Sequence, residues 1–324
     1  MTKIHAANTR ADFMSLSVQY LTSTNKHWSY MAEPLRVLVF GGTGVGKTSV
    51  CNELAGRSRP TDNDAQGVTP KTHIYGVFNS QGVAIELIDT VGLHEADSGT
   101  VPAEMAVLQL SELLKHSKDG FSLLIHVVRA GRLTKHQQDD YDFFVNRMTE
   151  RKIPTLLVLT GCENEHPMSA WVDRNQEHFR QFQYREMLAT CFASGGSLES
   201  HFAPLREQSR DIILKKIVAT ALPAPLRLYG EGTERTASDF LAKLWNDFAE
   251  LAQLPAKYRA KTNESVYDFM KRIGVSQKIA DLAISHLPDL LGDVAGKLPV
   301  PGSGIIVRKA IKKLLEKVLV KRAA

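Results

Sequence analysis

A glycine-rich segment near residue 41 has the residue types and the spacing of a phosphate-binding loop. It matches the pattern GxxxxGKT and, with the residue that follows, reads Gly41-Gly42-Thr43-Gly44-Val45-Gly46-Lys47-Thr48-Ser49. Glycines let backbone N–H groups turn inward around phosphate oxygens, and the positive end of the following helix points at the same anion. Lys47 would then reach the β- and γ-phosphates, and the Thr48 hydroxyl would bind Mg²⁺. The spacing therefore predicts that these residues form a nucleotide site.

A second motif, Asp89-Thr90-Val91-Gly92, follows the apolar run VAIELI. Asp89 ends a predicted strand, where its carboxylate can hold Mg²⁺ through water, and Gly92 can turn its N–H toward a γ-phosphate. A P-loop by itself is compatible with a GTPase, an ATPase or a kinase. Because Asp89 lies 42 residues after Lys47, the two motifs together favour a GTPase.

The polar loop between these motifs contains two candidate switch threonines, in the stretch Gly67-Val68-Thr69-Pro70-Lys71-Thr72. We favour Thr69 over Thr72 as a further Mg²⁺ ligand, and the alternative for either is an ordinary loop hydroxyl. The predicted metal ligands are therefore Thr48, Thr69 and Asp89, and the predicted catalytic residues are Lys47, Thr69 and Gly92.

Short apolar runs alternate with helix-like segments in the first two thirds of the chain. The predicted strands are Leu35–Phe40, Val83–Ile88, Phe121–Val128, Thr155–Leu159 and Met187–Phe192, and the predicted helices are Thr48–Ala55, Val101–His116 and Thr134–Glu150. This alternation is typical of an α/β fold with a mostly parallel sheet and helices on both faces.

The pattern changes to helical periodicity after about Leu222. Residues 237–254 place one apolar stripe on a helix face: Phe240, Leu241, Leu244, Trp245 and Phe248. Residues 274–282 resemble a helix-turn-helix, but we favour two packed helices, because nearby aspartates would face phosphates. We predict an N-terminal tail over residues 1–34, an α/β domain over 35–222, a smaller all-helical domain over 223–302 and a basic tail over 303–324.

The segments GGTGVGKTSVCNELAG, GVTPKT, DTVGL and AGRLTKHQQDDYDFF resemble the immunity-associated (GIMAP) GTPases and their septin and chloroplast-import relatives. The resemblance covers about Leu35 to Leu222. It implies a Ras-like G domain that binds GTP or GDP with Mg²⁺. It also implies that two copies pair face to face through this domain as a homodimer.

The stretch expected to read guanine departs from the usual NKxD or TKxD pattern. It reads Thr160-Gly161-Cys162-Glu163, directly after the predicted strand TLLVL. We predict that Thr160 and Glu163 contact the base, although the longer Glu163 requires a shifted loop for bidentate pairing. The open alternative is that Glu163 is a solvated loop carboxylate. The last base-contacting loop is predicted at Ala193-Ser194-Gly195.

Leu93 occupies the position after Gly92 where many GTPases carry a glutamine that orients the attacking water. Leucine cannot bind water, so hydrolysis would rely on Lys47, Mg²⁺, backbone donors or a residue from a partner. Arg129 and Arg132 could act across a dimer, and their alternative is an ordinary surface role. His94 and Glu95 are further polar candidates.

Positive charge is concentrated at the C-terminus. The chain has a net charge of +5, but residues 297–322 hold eight basic residues and one acidic residue, so the rest carries about −2. A body near neutrality argues against a broad nucleic-acid-binding face. Residues 303–322 have the pattern of a basic amphipathic helix. It could dock on its own domain, bind nucleic acid or lie on an anionic membrane, and the absence of interleaved aromatic residues makes nucleic acid the weakest reading.

Other protein classes are disfavoured by composition. The three cysteines lie far apart without a CxxC pair, which argues against a disulfide framework and a cysteine zinc site. No apolar run reaches the roughly 18 residues of a membrane-spanning helix. We expect a cytoplasmic GTP-binding protein, peripheral at a membrane, that hydrolyses GTP slowly as a switch or scaffold. The alternatives are a nucleotide-binding scaffold with negligible hydrolysis and an ATP-dependent P-loop enzyme.

Overall fold

The computed structural model describes residues 33–57, 72–90, 92, 102–193, 198–230, 232–261 and 264–285. Several predictions concern residues outside these ranges. They are the predictions for most of the N-terminal tail, Thr69, Leu93, His94, Glu95, Ser194, Gly195 and the basic tail. Among the described residues, no helix is both long and apolar enough to cross a bilayer.

The described residues form a six-stranded sheet with the order β2-β3-β1-β4-β5-β6. All neighbouring strands are parallel except β2, which pairs antiparallel with β3. The mostly parallel α/β fold is thereby confirmed. The strands are β1 Leu35–Phe40, β2 His73–Ser80, β3 Val83–Asp89, β4 Leu123–Arg129, β5 Thr155–Thr160 and β6 Glu186–Ala189.

Helices connect the strands and continue beyond the sheet. They are α1 Lys47–Ala55, α2 Pro102–Ser117, α3 Lys135–Tyr141, α4 Ala170–Asn175, α5 Glu199–Thr220, α6 Ala237–Leu251, α7 Val266–Arg272 and α8 Gln277–Ser285. Short 3₁₀ turns lie at Gln176–Phe179 and Ala256–Tyr258. The single helix predicted over 134–150 is instead α3 followed by a π-helix, Asp142–Met148.

The two faces of the sheet are covered by different helices. On one face α1 and α5 contribute Val50, Leu54 and Ile213 to a cluster with Val37 and Val39 of β1. The intervening residues of β1, Leu38 and Phe40, join a cluster on the other face. Residues alternate between the faces because side chains of a strand point in opposite directions with a period of two.

The C-terminal helices pack on the face that also carries α2 and the π-helix. Phe240 and Trp245 of α6 are buried in the same apolar cluster as Leu110 and Leu114 of α2. The predicted apolar stripe of α6 is confirmed, since all of its members are buried. The two packed helices predicted near residue 274 are confirmed as α7 and α8. The domain boundary near Leu222 stays a prediction.

Candidate nucleotide site

The P-loop leaves β1 through a backbone that requires glycine at its first residue. Gly41 has a φ of +142°, and a Cβ built there would lie 2.2 Å from the carbonyl oxygen of Val127 on β4. No side chain fits at that distance. Gly46, with a φ of +99°, is the N-cap of α1, so the loop passes directly into the helix. The predicted strand, loop and helix therefore occur in the required order.

Lys47 is buried and bends back over the loop. Its Nζ donates hydrogen bonds of 2.9 and 2.8 Å to the carbonyl oxygens of Gly41 and Gly42. Thr43 and Gly44 are exposed at the rim, and Ser49 is half-buried in the first turn of α1. An ammonium group held at a glycine-rich loop, directly at the N-terminus of a helix, suits a phosphate anion.

Thr48 and Asp89 are brought together at the ends of two neighbouring elements. The Thr48 hydroxyl donates a hydrogen bond of 2.9 Å to Asp89 Oδ2. Asp89 ends β3 in register with Val39 of β1, which leads into the P-loop. A hydroxyl and a carboxylate are the oxygen ligands that Mg²⁺ prefers, so this pair fits the implied metal ion. Mg²⁺ bound there would neutralise charge on the β- and γ-phosphates.

Gly92 lies against the P-loop. A Cβ built on Gly92 would lie 3.0 Å from Thr43 Oγ1 and 3.1 Å from the Thr43 nitrogen. Thr90 fixes the start of this segment, because both its backbone N–H and its hydroxyl donate 3.0 Å hydrogen bonds to the carbonyl of Val39. The structure therefore places Gly92, as well as Asp89, beside the predicted phosphate site.

Thr160 contacts the P-loop through its side chain. Its hydroxyl donates a hydrogen bond of 2.7 Å to the carbonyl of Val45. Its methyl carbon would be 3.4 Å from a Cβ on Gly46. Thr160 thus supports the P-loop from the end of β5. Its predicted contact with a base stays a prediction.

Glu163 has one buried oxygen at the end of the TGCE stretch. Its Oε2 has no hydrogen-bond partner within the described part of the chain. Gly161, with a φ of +81°, makes the turn that precedes it. The intervening Cys162 is tied by its backbone N–H to the carbonyl of Thr190 at 3.2 Å, and burial raises the pKa of its thiol to about 11. Cys162 is therefore a packing residue, while Oε2 of Glu163 is an oxygen that can accept a hydrogen bond.

Arg129 lies beside this loop. A Cβ on Gly161 would be 3.5 Å from Arg129 Cγ and 3.7 Å from its Nε. Arg129 and Arg132 are both exposed at the carboxyl end of β4. Their exposure is compatible with the predicted role across a dimer and with an ordinary surface role.

Two buried titratable residues behind the P-loop were not predicted from the sequence. Asp140 of α3 is fully buried, and its Oδ2 would lie 4.0 Å from a Cβ on Gly42. His126 of β4 is also buried, with its Nδ1 2.7 Å from the hydroxyl of Tyr184. Asp140 lies three and four residues before the buried Phe143 and Phe144. That helical spacing is the signal that places its carboxyl group on the inward face.

Comparisons with known proteins agree with this site. Residues 36–161 match the family model described as 50S ribosome-binding GTPase. The tRNA modification GTPase MnmE of Pediococcus pentosaceus is 34% identical over 80 residues, covering 25% of this chain and 17% of that protein. MnmE of Clostridioides difficile is 24% identical over 156 residues, which cover 48% of this chain and 32% of that protein. The chain thus spans about a third or less of the length of the curated relatives it matches.

Two of the solved structures that match this chain are those of Era and Toc33. Era in complex with MgGDPNP and nucleotides 1506–1542 of 16S ribosomal RNA gives a TM-score of 0.46 at 16% identity, covering 67% of this chain and 66% of that chain. Toc33 from Arabidopsis thaliana in complex with GDP and Mg²⁺ gives a TM-score of 0.37 at 19% identity. This match covers 60% of this chain and 90% of that chain.

The sheet order, the P-loop geometry and the family match define a P-loop GTPase domain. The coarse prediction of a GTP-binding G domain is thereby confirmed. The narrower resemblance to the immunity-associated group stays a prediction, since the curated relatives named above are MnmE proteins.

Proposed function

We propose that this chain binds GTP with Mg²⁺, hydrolyses it slowly, and acts as a nucleotide-dependent switch or self-assembling scaffold. The observation that carries the proposal is the 2.9 Å hydrogen bond between Thr48 and Asp89, next to Lys47. A hydroxyl and a carboxylate at this spacing supply Mg²⁺ ligands, while the neighbouring ammonium group supplies charge for phosphate. Gly92 lies where its backbone can meet the same phosphate group.

Guanine preference is supported by Glu163. An acceptor oxygen that is buried beside a positive-φ glycine can take hydrogen bonds from the N–H groups of guanine, whereas adenine offers a different edge. The competing proposal is an ATP-dependent enzyme, which the altered TGCE stretch favours. The two proposals differ in the relative affinity for GTP and ATP. A guanine-specific site should bind GTP about tenfold or more tightly than ATP, because a buried acceptor that adenine leaves unpaired costs roughly 1–3 kcal/mol.

Hydrolysis is proposed to be slow without a partner. Unassisted GTPases turn over at about 10⁻⁴ to 10⁻² s⁻¹, and an arginine supplied by another chain adds about 10³–10⁵-fold. Leu93 offers no hydrogen bond to water, so we propose that Arg129 or Arg132 completes the site in a homodimer. A scaffold with negligible hydrolysis is the alternative that Leu93 favours.

Membrane attachment is proposed for the basic tail. Residues 303–324 combine an apolar stripe with a cationic face, and each surface Lys or Arg contributes about 1 kcal/mol toward an anionic leaflet. Full-length protein should float with phosphatidylserine vesicles at low salt, and a chain ending at Gly302 should not. Equal flotation of both would reject the tail as the anchor. We therefore propose a cytoplasmic, peripheral location.

The matches to MnmE cover a third or less of those proteins, so the proposal takes over neither tRNA modification nor RNA binding. The test is a titration of the full chain with GTP and ATP side by side in Mg²⁺, followed by measurement of phosphate release. GTP should bind at least about tenfold more tightly and be hydrolysed slowly. Equal affinities would favour the ATP-dependent alternative. GTP preference without phosphate release would favour the scaffold.

A further inference from the structure

A group of polar side chains lies behind the P-loop, and all of its members except Lys47 take no part in the chemistry proposed above. It consists of Lys47 on α1, His126 on β4 and Asp140 and Tyr141 on α3, which are buried, and of Tyr184 before β6, which is partly buried. Buried ionisable groups are expensive unless they are compensated or neutral.

Asp140 is the acidic member of the group. Its side chain is fully buried, and its Oδ2 would lie 4.0 Å from a Cβ on Gly42. The carbonyl oxygen of Gly42 accepts one of the two hydrogen bonds from Lys47 Nζ. Asp140 therefore approaches the P-loop at the residue that also holds the ammonium group of Lys47.

Charge links Asp140 to Lys47 as well. Burial raises the pKa of the Asp140 carboxyl group to about 7, and the positive charge of Lys47 opposes that rise, while Asp139 adds to it. Tyr184 and Tyr141 also face this region, but burial raises the pKa of both phenols, so they stay neutral.

His126 does not supply a second positive charge. Burial, followed by the charge of Lys47, lowers the pKa of His126 to about 3, so the ring is neutral at ordinary pH. Its Nδ1 is engaged with the hydroxyl of Tyr184 at 2.7 Å. Among the described residues that act on Asp140, the compensating cation is thus Lys47.

We propose that Asp140 is a positioning residue for Lys47 and that its carboxylate takes up one proton when a nucleotide phosphate binds at the P-loop. Two anions then share one buried cation. Phosphate draws the ammonium group of Lys47 toward itself, and its own negative charge repels the carboxylate across a medium of low dielectric constant. Both effects favour the neutral acid. The proton comes from solvent and binds to a carboxylate oxygen, and no other bond changes.

This inference rests on the proposed nucleotide site and predicts a distinct pH dependence. Below about pH 7 Asp140 is already protonated, so phosphate binding needs no proton. Above that pH, the affinity should fall by up to about tenfold per pH unit, because each binding event must add a proton. A purely structural Asp140 would affect stability without producing this slope.

The test is calorimetric titration of the full chain with GDP and Mg²⁺ at about pH 6 and about pH 8. Each titration is repeated in two buffers of different ionisation enthalpy, so that proton uptake is counted directly. Wild-type protein should take up nearly one proton more at the higher pH than Asp140→Asn takes up. The matched control, Asp139→Asn, removes the neighbouring half-buried carboxylate but keeps Asp140. It should still take up the extra proton at the higher pH, with the onset moved to a lower pH because Asp139 no longer raises the pKa of Asp140.

The comparison with Asp140→Asn also cancels the titration of the nucleotide phosphate itself. Equal proton uptake and equal pH slopes in wild type and Asp140→Asn would overturn the inference. If Asp140→Asn does not fold, the wild type must still show proton uptake that exceeds that of phosphate titration, and its absence would again overturn it. Failure of the wild type to bind GDP at either pH would instead contradict the proposed function.

Discussion

The hydroxyl group of Thr160 donates a hydrogen bond of 2.7 Å to the carbonyl group of Val45, so the end of β5 holds the middle of the P-loop. These residues are separated by 115 positions in the chain. The TGCE stretch therefore supports the phosphate site, whatever it contributes to base recognition.

Thr160→Val should weaken GDP binding by about 5- to 30-fold, because the half-buried Val45 loses the partner of its carbonyl group at a cost of roughly 1–2 kcal/mol. Thr160→Ser keeps the hydroxyl and should bind nearly as wild type. Calorimetric titration checks both variants. Equal affinities for the valine and serine variants would show that the hydrogen bond does not order the loop.

Gly41→Ala should lower the free energy of unfolding by more than about 2 kcal/mol and abolish nucleotide binding. The added methyl group would lie 2.2 Å from the carbonyl oxygen of Val127, which belongs to the rigid backbone of β4. Gly56→Ala is the matched control, since Gly56 also has a positive φ but nothing lies within 4 Å of its Cβ position. Urea unfolding of both variants provides the measurement. Similar losses in the two would contradict the close approach at Gly41.

The pH dependence of stability should change in Asp140→Asn. The pKa of His126 is lowered to about 3. The neutral ring therefore contributes to the free energy of unfolding above about pH 6.5, and this contribution is lost as the pH falls. The pKa of Asp140 is raised to about 7. The protonated carboxyl group therefore contributes to the free energy of unfolding at acidic pH, and this contribution is lost as the pH rises from about 4 to 7. The two slopes oppose each other in the wild type.

Asp140→Asn removes one of these slopes and leaves that of His126. Between about pH 6.5 and pH 4.5 the variant should therefore lose about 1–3 kcal/mol more unfolding free energy than the wild type. Urea unfolding at both pH values measures the difference. A parallel loss in the two proteins would show that Asp140 does not hold a proton in the folded state.

Arg129→Ala should reduce any self-association that depends on the triphosphate. Light scattering of the wild type should give a larger mass with a non-hydrolysable GTP analogue than with GDP, and the variant should give the smaller mass with both. Arg180→Ala, which removes another exposed arginine, is the control. A wild type of one mass in both nucleotide states would contradict pairing through this face.

The sequence was most informative where residue type and backbone conformation are tightly coupled. The P-loop and the Asp89 motif were predicted because glycine spacing and strand ends leave few alternatives. Strand β2 was missed, because Tyr75 is its only fully buried residue and the strand pairs along one edge only. Its remaining side chains show no apolar alternation from which a strand could be predicted.

Other features were missed because they depend on tertiary contacts. The π-helix after Tyr141 repeats its hydrogen bonds at a spacing that a helical periodicity of 3.6 does not reveal. Asp140 was overlooked, because a charged residue in a polar run such as HQQDD indicates a solvent-exposed side chain. In the fold, this side chain is buried against the P-loop. The bond from Thr160 to Val45 joins distant segments, and local sequence carries no signal for it.

The most direct test of a P-loop GTPase site is the affinity of Lys47→Ala for GTP in the presence of Mg²⁺. The variant should bind several kcal/mol more weakly than wild type, or at least about 100-fold, because phosphate charge is left without its cation in a buried site. Lys135→Ala, at an exposed lysine of α3, should bind as wild type. Unchanged GTP affinity in a correctly folded Lys47→Ala protein would contradict the account.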